Sequence, residues 1–171
     1  MRWCGLRICE ALAVEKSDFR HGGRTLRVSG QASCDGRRKV ALKHRKMGEY
    51  RDVPVPAWLW AMVRDLPDGP LCPGNGRLYA VYSTVYDQFV KHVPRAGIPA
   101  GFTPHSLRHL YASVMLVEGG IDITEVARFL GHRDINETYR TYGHLLPNAN
   151  DKAIAALDAE FDRWSKADEQ E

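Results

Sequence analysis

The amino-acid sequence predicts a mixed α/β fold that is mainly helical and includes a small three-stranded antiparallel sheet. Three β-like segments, at residues 25–29, 39–43 and 51–55, are separated by polar stretches that contain glycine. From Pro56 onward, the apolar residues recur at helical spacing. With 171 residues and 44% hydrophobic content, the chain is long enough for one domain with its own core.

Apolar periodicity and helix start and stop signals place the helices along the chain. Thr103 and Pro104 form a strong helix start, with Thr103 as the N-cap and Pro104 as the first helical residue. Gly131 supplies the left-handed turn that ends a helix, and Asn136 is the expected cap of the next one. The expected helical segments are, in order, residues 6–14, 58–63, 81–93, 104–118, 123–130, 137–142 and 151–165.

Charge is distributed unevenly along the chain. Residues 37–51 contain seven lysines or arginines and one acid, Glu49, whereas the residues after Asn150 carry a net charge of −4. The whole chain has a net charge of +3. A basic body with an acidic tail is compatible with a polyanionic partner such as DNA, although charged runs are as often solvated surface.

The four cysteines include no Cys-x-x-Cys pair and have no histidines at zinc-ligand spacing. We therefore expect free thiols in a reducing cytosol, no metal site and no cofactor. Arg7 and Glu10 interrupt the apolar opening of the chain, so a signal peptide is not expected. No stretch approaches the ~20 apolar residues of a membrane span, which predicts a soluble cytoplasmic protein. The cysteines are Cys4, Cys9, Cys34 and Cys72.

Two basic side chains lie three residues apart near the start of the helix predicted at residues 104–118. His105 and Arg108 therefore share one face, close to the positive end of the helix dipole. An arginine fork can hold two phosphate oxygens and stays charged throughout a reaction. This arrangement outlines an anion site, although His-x-x-Arg by itself is common and usually a surface pair.

A second group of candidate residues follows the helix that ends at Gly131. The left-handed turn there would direct His132 out of the helical path and into a pocket. Tyr142 comes ten residues later. Taken singly, these residues have ordinary interpretations, namely a surface histidine after a helix cap and a core or interface tyrosine.

The full order of motifs resembles the tyrosine recombinase family, or phage-type integrases. The resemblance runs from Gly5 to about Pro147 and implies a mixed α/β catalytic domain. It also implies cutting and rejoining of DNA through a transient 3′-phosphotyrosine bond, without a metal ion or external energy. The motifs are, in order, Gly5-Leu6-Arg7-Ile8-x-Glu10, a β-hairpin lysine, His105-Ser106-Leu107-Arg108-His109, Leu130-Gly131-His132 and Tyr142.

Matching positions carry catalytic roles over from the family. Arg7 and Arg108 would clamp the scissile phosphate, and Tyr142 would be the nucleophile. His105 and His132 would be the assisting pair, with His105 a candidate to accept the tyrosine proton. Help with that proton is needed because a phenol with a pKa of about 10 is roughly one part in a thousand ionised at neutral pH.

Two lysines compete for the family's lysine position, in the turn between the second and third strands. Lys43 directly follows the apolar residues 40–42, where the strand should end, and is preferred. Lys46 remains the alternative because the turn is longer than in the family's shortest versions. The lysine would protonate the leaving 5′-oxygen, a role that suits an ammonium whose pKa is lowered by neighbouring cations.

Three neighbouring residues stay outside the predicted catalytic set. Glu10 is expected to orient the nearby arginine. His109 shares a helix face with the assisting histidine, and a packed structural role is at least as favoured for it as catalysis. Tyr139 is the rival nucleophile, but the Thr-Tyr-x-His-Leu context favours Tyr142.

Residues 1–150 are expected to form the catalytic domain, without the amino-terminal DNA-clamping domain that family members usually carry. Residues 151–171 are expected to form an amphipathic helix with an acidic tail. The apolar stripe of this helix either closes the domain's own core, which is favoured, or docks on a neighbouring protomer. The stripe comprises Ile154, Leu157, Phe161 and Trp164.

The expected function is that of a site-specific recombinase or integrase acting on double-stranded DNA. The resemblance implies a homo-oligomer, a tetramer on DNA, with accessory DNA-bending factors as further candidates for partners. Two alternatives stay open, a type IB topoisomerase-like DNA relaxase and a truncated DNA-binding remnant that no longer cleaves.

Overall fold

After a short opening helix, strands come first in the chain and helices follow. The computed structural model describes residues 1–146 and 149–168, except for the side chains of 149, 151, 152, 162 and 164–168. The helices are α1 (Ile8–Leu12), α2 (Ala57–Val63), α3 (Tyr82–His92), α4 (Pro104–Val117), α5 (Ile123–Leu130), α6 (Ile135–Tyr142) and α7 (Ala149–Asp168). The strands are β1 (Phe19–Arg20), β2 (Thr25–Val28), β3 (Gln31–Ala32), β4 (Lys39–Val40) and β5 (Arg51–Pro54).

The predicted fold class is confirmed. A three-stranded antiparallel sheet has the strand order β1-β2-β5, with Phe19 opposite Leu26 and Leu26 opposite Val53. Leu26 and Val53 are buried, whereas the residues directly before and after each of them in its strand are more exposed. This alternation is expected of a sheet with one covered face.

One predicted strand lies outside this sheet. Within residues 39–43 only β4 is extended, and it pairs with β3, where Gln31 is opposite Val40. The connection from β3 to β4 is shorter than that from β4 to β5, so the local pairing costs less loop-closure entropy. The Lys39 ammonium also lies 3.3 Å from the carboxylate of Asp18, the residue that precedes β1. The third strand of the sheet is β1.

Two apolar clusters meet at the end of α5. One joins the sheet to the opening segment through Leu6, Leu26 and Val53. The other joins α4 to α5, with Ala112 and Leu130 among its buried members. Phe129 packs against both clusters, so the turn that follows α5 is fixed at their junction.

The predicted boundaries of α4 and α5 are confirmed to within a residue. Thr103 is the N-cap of α4 with Pro104 as its first residue, and Gly131 ends α5 at a φ of 71°. A Cβ at Gly131 would lie 2.9 Å from Nη1 of Arg51, so both the turn and the space there require glycine. The predicted Asn136 cap is wrong, because α6 begins two residues earlier and the Asp134 carboxylate accepts from the Asn136 backbone N–H at 2.9 Å.

The apolar stripe of α7 does not close the core of the domain. Ile154, Leu157 and Phe161 are 57%, 69% and 63% exposed, so the favoured prediction is wrong for them. The core beneath α4 and α6 is already covered by Leu145 and Leu146, which precede α7. The Trp164 side chain lies outside the described residues. None of the helices in the described ranges is long and apolar enough to cross a membrane.

Candidate active site

Arg108 is a buried cation with neutral partners. Its side chain projects from α4, is 2% exposed, and donates to the carbonyl oxygens of Gly5 at 2.6 Å and Leu130 at 2.8 Å. Burial and the nearby Arg7 guanidinium lower the pKa of Arg108 to about 10, which still leaves it charged at neutral pH. Because carbonyl oxygens do not neutralise its charge, the site favours an anion.

Arg7 lies at the N-terminus of α1, beside the same site. Its Nη1 is 3.1 Å from Oε1 of Glu10, and its backbone N–H donates to Oε2 of Glu10 at 2.8 Å. The prediction that Glu10 orients Arg7 is therefore confirmed. Nη2 of Arg7 also makes a long contact of 3.5 Å with the carbonyl oxygen of Gly131, which brings α1 to the end of α5.

Arg51 fixes Glu10 from the other side and was not identified from the sequence. Its guanidinium makes two hydrogen bonds to the Glu10 carboxylate, at 3.1 and 2.6 Å, and Nε donates to the Phe129 carbonyl oxygen at 2.8 Å. Burial raises the pKa of Glu10, but the hydrogen bonds and charges of Arg51 and Arg7 outweigh it and hold that pKa below its usual value. Arg51 begins β5, in which alternate residues face inward. This alternation with the apolar Val53 was the sequence signal that could have identified Arg51 as a buried residue.

The Tyr142 hydroxyl is held inside the protein by a histidine. Tyr142 is 5% exposed, and its hydroxyl oxygen is 2.6 Å from Nδ1 of His109. Burial raises the pKa of Tyr142, Arg108 lowers it and Glu137 raises it again, with a net increase. Tyr139, the rival nucleophile, is 60% exposed. Of the two tyrosines, the structure therefore places only Tyr142 among the candidate catalytic groups.

His105 does not make the contact with the tyrosine that the sequence suggested. Its ring lies edge-on to the His109 ring, with 4.5 Å between centroids and 87° between planes, and it is His109 whose Nδ1 contacts the Tyr142 hydroxyl. Burial, and then the charge of Arg108, lower the pKa of His109 below its usual value. His109 is therefore neutral at pH 7 and able to accept a proton from the hydroxyl.

His132 leaves α5 through the left-handed turn at Gly131, as predicted. Its Nδ1 is 2.7 Å from Oγ1 of the buried Thr138, and its Nε2 is 3.6 Å from the Glu137 carboxylate. Burial and the charge of Arg108 lower the pKa of His132 to about 4, so its ring is neutral at pH 7. The hydrogen bond between Thr138 and His132 fixes the orientation of the imidazole ring.

Five of the six predicted catalytic residues converge on one cavity of about 130 Å³. Arg7, His105, Arg108, His132 and Tyr142 all line it. Three further residues line the same cavity, and none of them was in the predicted set. They are His109, Glu137 and Thr141.

Lys43 lies next to that cavity. It is exposed and lines two neighbouring cavities of about 260 and 370 Å³, each of which also includes Arg7, whereas Lys46 lines neither. Lys43 directly follows the buried Leu42, which anchors the start of its loop. Among the residues that the structure describes, no group of three or more His, Cys, Asp or Glu side chains is placed to hold a metal ion.

Comparison with known proteins gives the chain a family. The phage integrase family model matches residues 1–149. Tyrosine recombinase XerC from Rhodospirillum centenum (strain ATCC 51521 / SW) is 33% identical, over 80% of this chain and 38% of the relative. The integrase of Escherichia phage 186 is 34% identical, over 87% of this chain and 39% of the relative. The chain therefore spans about two-fifths of the length of these curated relatives.

Solved structures share the fold. The Tn1549 transposon integrase, solved with transposon right end DNA, superposes with a TM-score of 0.70 at 18% identity, covering 92% of this chain and 55% of that one. The catalytic domain of bacteriophage HP1 integrase has a TM-score of 0.60 at 26% identity, covering 90% of this chain and 76% of that one. Together with the match over residues 1–149, these similarities show that the chain belongs to the phage integrase family, the tyrosine recombinases that its motifs resemble.

Proposed function

We propose that this chain is the catalytic part of a site-specific DNA recombinase or integrase that works through a 3′-phosphotyrosine intermediate. The observation that carries this proposal is the buried Tyr142 hydroxyl, hydrogen-bonded to an imidazole in a cavity lined by two arginines. The relatives named as a tyrosine recombinase and an integrase support it. The Tn1549 integrase, solved in complex with DNA, supports double-stranded DNA as the substrate.

The two arginines and His132 form the phosphate-binding part of the proposed site. Arg7 and Arg108 approach one cavity from α1 and α4, and both are held by protein hydrogen bonds before any substrate arrives. Such preorganised donors stabilise the charge that develops on non-bridging oxygens, and losing one typically costs about 100-fold or more in rate.

His109 is the proposed acceptor of the tyrosine proton. It takes the place that the sequence suggested for His105, because its Nδ1 is the imidazole nitrogen in hydrogen-bond contact with the Tyr142 hydroxyl. Since burial raises the pKa of Tyr142, attack on the phosphate requires this transfer. His105 lines the same cavity and packs on His109, which suits a role in binding the phosphate or keeping His109 in place.

Lys43 is the proposed general acid. It borders the cavities that adjoin Arg7, and its flexible four-carbon side chain can extend toward the leaving 5′-oxygen. The tyrosine ester conserves the energy of the broken phosphodiester, so the 5′-hydroxyl can later reverse the step and rejoin the strand.

Residues 1–150 are proposed to carry this catalytic activity. The basic loop region at 37–51 is suited to the DNA backbone, since lysines and arginines that neutralise phosphates supply most of the non-specific affinity for DNA. We propose a tetramer on DNA as the working assembly, with accessory DNA-bending factors, and the cytoplasm as its location.

The test uses nicked suicide duplexes that carry the DNA flanking the gene, incubated with the protein and analysed under denaturing conditions. We expect a covalent protein–DNA adduct that is lost in Tyr142→Phe and retained in the matched control Tyr139→Phe. Absence of any adduct would overturn the proposal in favour of a non-cleaving DNA-binding protein. Relaxation of supercoiled plasmid without sequence preference would support the topoisomerase-like alternative instead.

A further inference from the structure

Two cysteines from distant parts of the sequence meet beside the candidate active site. Cys9 lies in α1, two residues after Arg7, and Cys34 lies in the turn between β3 and β4. α1 and β3 pack together through Leu12 and Ala32, which share one buried cluster. Cys9 lies one helical turn before Leu12, and Cys34 lies two residues after Ala32, so each thiol is on the side of its segment that packs against the other. The effect of Cys34 on the pKa of Cys9 agrees with this proximity.

The turn that carries Cys34 is well supported. The Ser33 N–H donates to the Arg38 carbonyl oxygen at 2.9 Å, and the Gly36 N–H donates to the Ser33 carbonyl oxygen at 2.8 Å. A Cβ on Gly36 would lie 2.3 Å from the Tyr79 carbonyl oxygen, so the turn also packs closely on the body of the protein. Cys34 is thus held opposite Cys9 by a hydrogen-bonded turn.

The two thiols differ in their access to solvent. Cys34 is exposed, whereas Cys9 is half-buried and lines the cavity of about 370 Å³ shared with Arg7 and Lys43. Small reagents in solution therefore reach Cys34 first. Cys9 lies within reach of the modified sulfur and also borders the site where DNA would be processed.

We propose that Cys9 and Cys34 form a thiol–disulfide switch that responds to low-molecular-weight disulfides. Transient disulfides of this kind are the ones found in reducing compartments, where structural disulfides are rare. The pair would lock α1, which carries Arg7, to the β-hairpin that leads into Lys43.

The chemistry is a pair of thiol–disulfide exchanges. The Cys34 thiolate attacks oxidised glutathione, whose S–S bond breaks, and one glutathione thiol leaves as a mixed disulfide forms. The Cys9 thiol then loses its proton and attacks the Cys34 sulfur, which releases the second glutathione thiol. Burial raises the pKa of Cys9, so this second step should accelerate as the pH rises.

The consequence for activity rests on the proposed function. Arg7 and Lys43 must approach the same phosphodiester from the two elements that the disulfide would join. A displacement of about 1 Å at a catalytic group can cost about 100-fold in rate, so restraining the adjustment of Lys43 to DNA should slow cleavage by roughly 10-fold or more. Reduction should restore the rate.

The first test maps the thiols. The reduced protein is incubated with oxidised glutathione, its remaining thiols are alkylated, and its peptides are analysed by mass spectrometry. We expect a cross-linked peptide pair containing Cys9 and Cys34, absent in Cys34→Ser and present in the control Cys72→Ser. A stable glutathione adduct on Cys34, or a cross-link to another cysteine, would overturn the proposal.

The second test measures cleavage of the suicide duplex by reduced, oxidised and re-reduced protein. Oxidation should slow the wild type and Cys72→Ser, leave Cys34→Ser unchanged, and be reversed by dithiothreitol. Formation of the disulfide with no change in cleavage would refute the switch. If the reduced protein does not cleave at all, the proposed function fails, whereas the peptide map still decides the pairing.

Discussion

The two sides of the candidate site are held in very different ways. On the helical side, Arg108 and Glu10 are almost fully buried. Arg108 donates to a backbone carbonyl oxygen, and the Glu10 carboxylate accepts two hydrogen bonds from Arg51. On the loop side, Lys43 is exposed at the start of a loop, with Leu42 as its buried anchor. The phosphate-binding side is thus organised before DNA arrives, whereas the general acid must be positioned by DNA.

This difference has an energetic basis. Burying a guanidinium against neutral carbonyls costs free energy that a surface position would not, so the geometry is expected to serve binding rather than stability. Donors fixed in this way need no reorganisation when charge develops on the phosphate. A lysine with about 2 kcal/mol of rotamer entropy can instead be ordered by the substrate.

The largest expected effect is on the loop side. Lys43→Ala should slow cleavage by about 100-fold to 10,000-fold, the usual range for a general acid, whereas Lys46→Ala should change it little. A duplex with sulfur in place of the leaving 5′-oxygen should rescue Lys43→Ala, because a thiol with a pKa of about 8.5 leaves without protonation. Rescue of Lys46→Ala, and not of Lys43→Ala, would identify Lys46 as the general acid.

On the fixed side, geometry should matter more than charge. Arg108→Lys keeps a cation but loses the fork that reaches the carbonyl oxygens of Gly5 and Leu130, so cleavage should fall by about 100-fold or more. The matched control is Arg45→Lys in the loop, which should stay within about twofold of the wild type. Circular dichroism confirms folding, and equal effects at the two positions would refute the contrast.

The two histidines of α4 should differ in effect. His109→Ala should slow cleavage at pH 7 by about 100-fold, more than His105→Ala, because His109 contacts the Tyr142 hydroxyl. Its lowered pKa keeps the imidazole neutral at pH 7, so the wild-type rate should fall only when the pH drops below about 6.5. A larger loss in His105→Ala would return the role of base to His105.

The buried carboxylate beneath the site provides a stability test. Arg51→Met leaves Glu10 buried with less compensation and should lower the free energy of unfolding by about 3–5 kcal/mol in urea denaturation. The double variant Glu10→Gln with Arg51→Met should lose less than the sum of the single changes. Arg27→Met, which breaks a partly exposed pair with Asp52, is the control and should lower the free energy of unfolding much less than Arg51→Met. Equal losses of unfolding free energy in Arg51→Met and Arg27→Met would contradict the conclusion that the buried Glu10 carboxylate and Arg51 hold the helical side in place.

The smallest expected effect is a pH dependence from His132. Its folded pKa of about 4 lies below the usual value of 6.5, so the unfolded state takes up the proton more readily. The stability that the neutral ring contributes is therefore present above pH 6.5 and is lost as the pH falls toward 4. His132→Gln should show a shallower decline of unfolding free energy over this range, and parallel curves would rule out this linkage.

Much of the fold and site follows from local sequence signals. Thr103-Pro104 and Gly131 were readable because a helix start and a left-handed turn depend on the residues at those positions. Tyr142 and Arg108 were identified by the order of the motifs, and both line the same cavity.

The remainder depends on contacts between distant segments. Arg51 was counted within a basic run, since nothing nearby in sequence shows that its partner is Glu10 on α1. The choice of His109 over His105 depends on where Tyr142, at the end of α6, meets α4, which helical spacing alone does not give. The exposed stripe of α7 likewise could not be predicted, because amphipathicity indicates an apolar face without saying what covers it.

The central claim is that Tyr142, rather than another residue, becomes joined to DNA. The most direct measurement is to trap the adduct on a suicide duplex, digest both protein and DNA, and locate the remaining nucleotide by tandem mass spectrometry. We predict a single modified peptide with the nucleotide phosphate on the Tyr142 oxygen. A nucleotide on Tyr139 or on any other side chain, or DNA cleavage without a covalent peptide, would contradict the account.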